Sequence, residues 1–363
     1  MDSRSNKQFF TLIQQAQHIS LALFNRISKR KLSNNSSIFR NHLWQEFCNS
    51  EVIIAGLDDS FTTLYGPFPI LSNLYSVFLG KLLRKKVVLY ASSIGPFNSV
   101  VYKKLGKYIV DMADLVTLRE DLSFNYLKKI GVRNKNVYVT SDLAFALKPI
   151  PTESTQKIMA EESIDSKPLI GVSLSQVISH WAFPNEKDPD KKYRNFVHVI
   201  SKVLDNLSEK IGGTVVFIPQ SFGPDRLNDD RIVHRDIFNS LKNKDKAKLL
   251  ERELSPEELR GISGQLDLFI SARTHAIISA AIMHTPFLAF SYASFKTHGI
   301  IGRMIQCEDL VYDITNLDTH MLLDKLLQTW NNRTNIRQEL EFKVAPIKEK
   351  ASLNSQLIEK FFR

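Results

Sequence analysis

The sequence predicts two α/β domains, each a doubly wound parallel sheet, facing one another across a cleft. Three observations carry that prediction. Short, β-rich apolar runs alternate with longer helical stretches along most of the chain. Each run ends in Gly, Ser, Asp or Arg, and one proline-bearing polar segment separates the runs into two sets. Near-continuous apolar strands alternating with helices are the mark of parallel sheets covered on both faces.

The first set is EVIIAGLDDS (51–60), KKVVLYASSIGP (85–96), ADLVTLRED (113–121) and NVYVTSDLAF (136–145). The second is PLIGVSLSQ (168–176), TVVFIPQSFG (214–223), LDLFISARTH (266–275) and PFLAFSYASF (286–295). Helices fill the gaps, among them NSVVYKKLGKYIVDMA (98–113) and LSFNYLKKIG (122–131), the latter closed by Gly131. The segment PIPTESTQKIMAEESIDSKP (149–168) carries three prolines and places the boundary. Residues 1–150 then form a first Rossmann-like domain and 165–320 a second, while 321–363 read as helices that cross back to the first.

At 363 residues and 43% apolar content the chain is long enough for two cores. Cys48 and Cys307 make no disulfide framework, which fits a reducing, cytoplasmic compartment. No stretch reaches the about 20 apolar residues of a membrane span, and MDSRSNKQFF opens no signal peptide. The net charge of +10 suits an anionic substrate, a nucleic acid or an anionic membrane face. Its clusters (84–86, 191–192, 242–248, 348–350) lie among acids and other polar residues, so solvated surface is the preferred reading of each. A glancing contact with anionic lipid is the lesser one. Most of the 23 Phe fall in core-like runs rather than interleaving with a basic stripe, which argues against nucleic acid.

In open parallel sheets ligands bind beyond the carboxyl ends of the strands. The first set of runs places Asp58, Asp59, Ser92, Ser93, Gly95, Arg119, Glu120, Ser141 and Asp142 there. The second places Ser173, Ser175, Gln176, Gln220, Ser221, Ser271, Arg273, His275, Tyr292, Lys296 and His298 there. The densest stretch is ISARTHAIISAAIMHTPFLAFSYASFKTHG (270–299), where Arg273, Thr274 and His275 turn strand into helix. A helix start favours an anion, Arg273 offers a bidentate partner for phosphate or carboxylate, and His275 brings an imidazole for proton transfer. Tyr292 and Lys296 follow the next strand, so Arg, His and Lys converge on one anion-sized space.

Each of these residues has a plain structural reading beside it. His275 alone reads as a cap or surface residue, and Arg273 alone as a surface ion pair. Arg119 reads as a helix start with Asp121 capping, or as an arginine reaching across the cleft to the same anion. Asp142 serves equally as a turn former or in the site, and Gly95 as an ordinary Gly-Pro turn or a point of close backbone approach. No Walker loop, Gly-x-Gly-x-x-Gly after a strand or Gly-x-Ser-x-Gly elbow occurs. No cysteine or histidine has metal-ligand spacing, so no metal is expected. Asp188–Pro189–Asp190 is similar to the metal-binding Asp-x-Asp of some sugar transferases, and in NEKDPDKK it reads as a solvated loop.

The order of SSIGPF, LVTLREDLSFNYLKKIG, VTSDLAF and SPEELRGISGQLDLFISARTHAIISAAIMHTPFLAFSYASFKTHG resembles the polysaccharide pyruvyltransferase family. The likeness covers about 50–305, and Arg-x-His followed by Tyr and Lys before a Gly is its most specific part. It implies a glycosyltransferase-B-like fold and transfer of pyruvate from phosphoenolpyruvate to two hydroxyls of a sugar, forming a cyclic ketal. It places catalytic roles on Arg119, His275 and Lys296, and the phosphate and carboxylate of such a donor suit Arg119, Arg273 and Lys296. Around them Ser271, Thr274, Tyr292, Gly95, Ser93, Asp142 and Gln220 are expected to bind substrate. The implied donor is phosphoenolpyruvate with no cofactor. The implied acceptor is a lipid-linked or growing exopolysaccharide or capsule unit at the inner membrane face. Two departures stand out: AGLDDS (55–60) replaces a Gly-rich turn, and 1–50, helical and polar, shows no strand with an Asn-x-Gly-Asp-type turn. A nucleotide-sugar glycosyltransferase and a non-catalytic saccharide-binding protein of the same fold are the alternatives.

Overall fold

The computed structural model of the chain describes residues 11, 14–23, 42–58, 60–66, 68–292 and 295–362. Two compact units emerge: residues up to Thr140 together with those from Asn354 form one, and Ser141–Leu353 the other. The division falls at Thr140/Ser141 rather than within 149–168. The reason is packing: helix Thr152–Glu161 buries Ile158 and Met159 in the core of the second unit, so this segment is part of a domain and not a linker.

In the first unit four parallel strands, β1 (Val52–Gly56), β2 (Lys86–Ser92), β3 (Leu115–Leu118) and β4 (Val137–Val139), lie in chain order. Helices α1 (His42–Asn49), α2 (Phe68–Leu82), α3 (Val100–Met112) and α4 (Asp121–Lys129) flank them. Residues 14–23 are also helical, while 24–41 and Asp59 lie outside the described residues. Ser99 caps α3, and Gly106 within it lets the helix sit on the Phe97 ring, where any Cβ would collide. The cap of α4 corrects an expectation: Glu120, not Asp121, accepts the Ser123 N–H at 2.8 Å. Glu120 occupies the N-cap because Arg119 ends the strand connection one residue earlier, which leaves Asp121 in the first turn.

The second unit holds β5 (Leu169–Ser173), β6 (Thr214–Phe217), β7 (Ala247–Leu249), β8 (Leu268–Ser271), β9 (Phe287–Ser291) and β10 (Val311–Asp313). Their order is β10-β9-β8-β5-β6-β7, all parallel, so the winding reverses between β5 and β8. Alternate side chains feed two apolar layers. Phe269, Phe287 and Ala289 enter one, and Leu268, Ile270, Leu288 and Phe290 enter the other. At about 25 cal/mol per Å2 each buried Phe contributes roughly 2–3 kcal/mol, which drives helices onto both faces. Those helices are α5 (Thr152–Glu161), α6 (Pro189–Ile211), α7 (Asp230–Ser240), α8 (Pro256–Ser263), α9 (Thr274–Ile282), α10 (Thr319–Asn331) and α11 (Arg333–Phe362).

Two short charged segments lie mostly exposed, as expected, but belong to regular elements. Asp188 caps α6 and Pro189 opens it, so this solvated stretch starts a helix and is not a loop throughout. The 242–248 cluster runs into edge strand β7, where lysines keep the free side in water. On α11, Ile336, Leu340, Val344, Ile347 and Ala351 recur every three or four residues and pack into one apolar layer of the second unit. Beyond them Asn354 belongs to the first unit, where its Oδ1 accepts the Thr140 hydroxyl at 2.9 Å.

Candidate functional site

The reversal between β5 and β8 opens a crevice at their carboxyl ends. There Ser271 Oγ donates to the Ser173 carbonyl at 2.8 Å and accepts the Arg273 N–H at 2.9 Å, which locks the turn into α9. Thr274 and His275 occupy the first turn of α9, with Thr274 buried and His275 exposed.

Arg273 is held by Asp230, the first residue of α7. Its Nη2 lies 2.6 Å from Oδ1 and its Nε 3.2 Å from both carboxylate oxygens. Asp230 is fully buried, and its Oδ2 also accepts the Gln220 and Ser221 N–H groups after β6. Burial pushes this carboxyl above the usual range, against the pull of Arg273. The side-on edge of Arg273 is therefore taken by Asp230, and the end-on edge at Nη1 and Nη2 is the one that geometry leaves for an anion.

One turn along α7, His234 Nε2 accepts the Leu174 N–H at 3.0 Å. Burial, helped by the Arg273 charge, lowers its pKa to about 3, so the ring is neutral. Asp230 and His234 thus tie the loops after β5, β6 and β8 to one helix. Ser173 Oγ, Thr274 Oγ1, Gln220 Nε2 and His234 Nδ1 are buried with no hydrogen-bond partner among the described residues. Three of these atoms lie at adjacent strand ends and the fourth on α7, whose His234 reaches the loop after β5; together they mark a place built for a polar ligand.

Asp142 lies beside this crevice, within the same unit. Its Oδ1 caps the turn Leu143–Ala146 through the Ala144 N–H, and its Oδ2 stands 3.7 Å from His275 Nε2. Both readings of Asp142 are thus compatible, since one oxygen caps and the other faces the imidazole. Arg260, 1% exposed, fixes that turn by donating to the carbonyls of Ala144 (2.7 Å) and Leu147. Burial lowers its pKa to about 10, which leaves it cationic at neutral pH. After β9, Tyr292 stacks on Trp181 with ring centres 4.7 Å apart, and Lys296 Nζ lies 5.6 Å from the Tyr292 ring. Lys296 leads into a π-helical segment, Thr297–Met304, whose His298 pairs with Glu308 at 2.6 Å.

In the first unit Arg119 is 2% exposed; its Nε donates to Ser93 Oγ at 2.8 Å and its Nη1 to Asp58. The Ser93 N–H in turn donates to the Asp58 carbonyl at 2.7 Å. Gly95 has φ +88°, and the Tyr126 ring fills the side where a Cβ would stand. Glycine is needed here for the turn itself. Sequence reasoning passed over Asp230, His234 and Arg260, and it found Asp58 without its partner. The available signal for Asp230 was an Asp-Asp pair opening a helix after a strand-end loop.

Two α/β units with parallel sheets, one reversing at an anion-ready crevice, define a glycosyltransferase-B-like protein. The chain belongs to the polysaccharide pyruvyl transferase family, whose sequence model matches residues 4–294. It is similar to the amylovoran biosynthesis protein AmsJ of Erwinia amylovora, with 22% identity over 283 residues. That match covers 77% of this chain and 65% of AmsJ, so the chain spans just under two thirds of that relative's length. Among solved structures, Anabaena Alr3699/HepE in complex with UDP aligns at TM-score 0.56 and 13% identity, over 87% of this chain and 79% of that one. A UDP-GlcNAc 2-epimerase from Neisseria meningitidis aligns at 0.53 and 9%, over 91% and 84%. These structures share the fold.

Proposed function

We propose that the protein transfers pyruvate from phosphoenolpyruvate to two hydroxyls of a saccharide, forming a cyclic ketal during exopolysaccharide assembly. The observation that supports this reading is the crevice at β5, β6 and β8. There the end-on edge of Arg273, the start of α9 and the unpartnered buried polar atoms offer cationic and neutral donors to a small dianion.

Phosphoenolpyruvate carries a phosphate and a carboxylate. Arg273 and Lys296 hold its anionic groups; a catalytic part is also assigned to Arg119, whose guanidinium is held by Ser93 and Asp58. A proton delivered to the methylene carbon makes a methyl group and a cationic C2, which one sugar hydroxyl attacks with loss of its proton. The C2–O bond to phosphate then breaks, and the second hydroxyl closes the ketal while its proton leaves with phosphate. His275, oriented by Asp142, serves as the general acid–base. The acceptor is a lipid-linked or growing polysaccharide unit.

Calorimetric titration with phosphoenolpyruvate, beside UDP- and GDP-sugars and without added metal, tests the donor. Saturable phosphoenolpyruvate binding that is lost in Arg273→Ala is the expected result. Binding of a nucleotide sugar in its place would reassign the protein as a glycosyltransferase.

A further inference from the structure

The outward face of α3 is apolar and basic where a helix over a sheet should be polar. Val100 and Val101 are 66% and 70% exposed, and Tyr108 is 51% exposed. The inner face holds Leu105, Ile109 and Val110 against the core of the first unit, so the valines are surplus to packing. At 100° per residue, Val100, Val101, Lys104 and Tyr108 share one stripe, with Lys103 at its edge. Residues 98–110 contain three lysines and no acid; Lys107 pairs with Asp111, while Lys103 and Lys104 are exposed.

Half-exposed Tyr65 extends the patch. Its loop is tied to the start of α3 by the Asn98 N–H, which donates to Thr63 Oγ1 at 2.8 Å. The patch also has a defined place in the fold. β2 ends at Ser92 and α3 begins at Val100, so the valines lie at the carboxyl end of the sheet, just past Ser93 and Gly95.

We infer that this face docks the protein on an anionic lipid bilayer. Valines enter the head-group boundary, Tyr108 and Tyr65 sit at the interface, and Lys103 and Lys104 meet lipid phosphates. Charge complementarity selects this occupant, because a second copy would bring the same lysines against these. The inference deepens the acceptor side of the proposed function: a lipid-linked saccharide would be delivered beside the loop that carries Ser93 and Gly95.

Co-sedimentation with vesicles of phosphatidylcholine, with and without phosphatidylglycerol, reads the docking directly. Binding should need phosphatidylglycerol and weaken with salt. The pair Lys103→Gln and Lys104→Gln should lose about 25-fold in affinity, at about fivefold for each lysine. The pair Val100→Ser and Val101→Ser should lose at least about tenfold. These side chains lie in solvent, so the variants should melt as the parent does. No binding of the parent to anionic vesicles, or equal binding by both variants, would overturn the inference. A dimer that the serine pair dissolves, without vesicle binding, would overturn it in favour of a second copy. Calorimetry with phosphoenolpyruvate on the same variants keeps the two readings apart. Vesicle binding without phosphoenolpyruvate binding removes the donor assignment and leaves the surface; the reverse removes the surface alone.

Discussion

Asp230 grips Arg273 by its Nε and Nη2, leaving the outer edge of the guanidinium to any anion in the crevice. The carboxylate is buried and also receives two backbone N–H groups from the loop after β6, so the arginine has one orientation. Asp230→Asn should therefore raise the KM for the donor by about tenfold or more while kcat falls less. It should also destabilise the fold by about 3 kcal/mol, because a buried pair loses one charge. Steady-state kinetics beside urea unfolding separate the two effects; an unchanged donor KM would make the pair purely structural.

His275→Ala should cost roughly 100- to 10,000-fold in kcat, the range of a lost general acid–base, with donor affinity close to the parent's. Asp142→Asn should lower kcat less and shift the pH dependence of kcat, the result expected of a carboxylate that orients the imidazole 3.7 Å away. A pH–rate profile that does not move in Asp142→Asn would limit that residue to capping its turn.

Arg260 donates to two carbonyls from a site with almost no solvent. Arg260→Met should cost about 3 kcal/mol by leaving the Ala144 and Leu147 carbonyls unpaired. It should also lower kcat, because the turn bearing Asp142 loses its anchor. Melting and turnover measured on one preparation test both, and full activity in the destabilised variant would separate Arg260 from the site.

His234 makes stability depend on pH. Its folded pKa, about 3, lies below the ordinary 6.5, so the neutral form is favoured by folding. That stability is complete above about pH 6.5 and is lost as pH falls toward 3, at about 1.4 kcal/mol per unit. At about pH 5 the loss from this group is roughly 2 kcal/mol. His234→Gln keeps an acceptor for the Leu174 N–H but takes up no proton, so its urea midpoint should fall less between pH 7 and 5. Equal slopes would refute the assignment.

Much of the fold is legible because apolar runs report parallel strands directly. Strands β5, β6, β8 and β9 are near-continuous apolar segments; β5, β8 and β9 end at Ser173, Ser271 and Ser291, and β6 runs on to Gln220. Edge strands β7 and β10 are three residues long and carry Lys or Asp, so no periodicity distinguishes them from surface. The same limit applies to the site. Arg273 and His275 stand out because they follow a strand. Asp230 lies 43 residues from its arginine, and Arg260 lies 113 and 116 residues from its carbonyls. Such pairings are set by how the strands are ordered, which no local pattern encodes.

The strand order also sets when each part can form. Each strand of the first sheet neighbours the next in sequence, so that sheet can assemble stepwise as the chain is synthesised. The centre of the second sheet must wait, since β5 pairs β8 across a gap illustrated by Leu169 and Asp267, 98 residues apart. Completion of the first unit comes later still, because Asn354 seals Thr140 from 214 residues away. The first sheet to take shape thus belongs to the unit that is completed second, and a chain cut before Asn354 would leave that unit open.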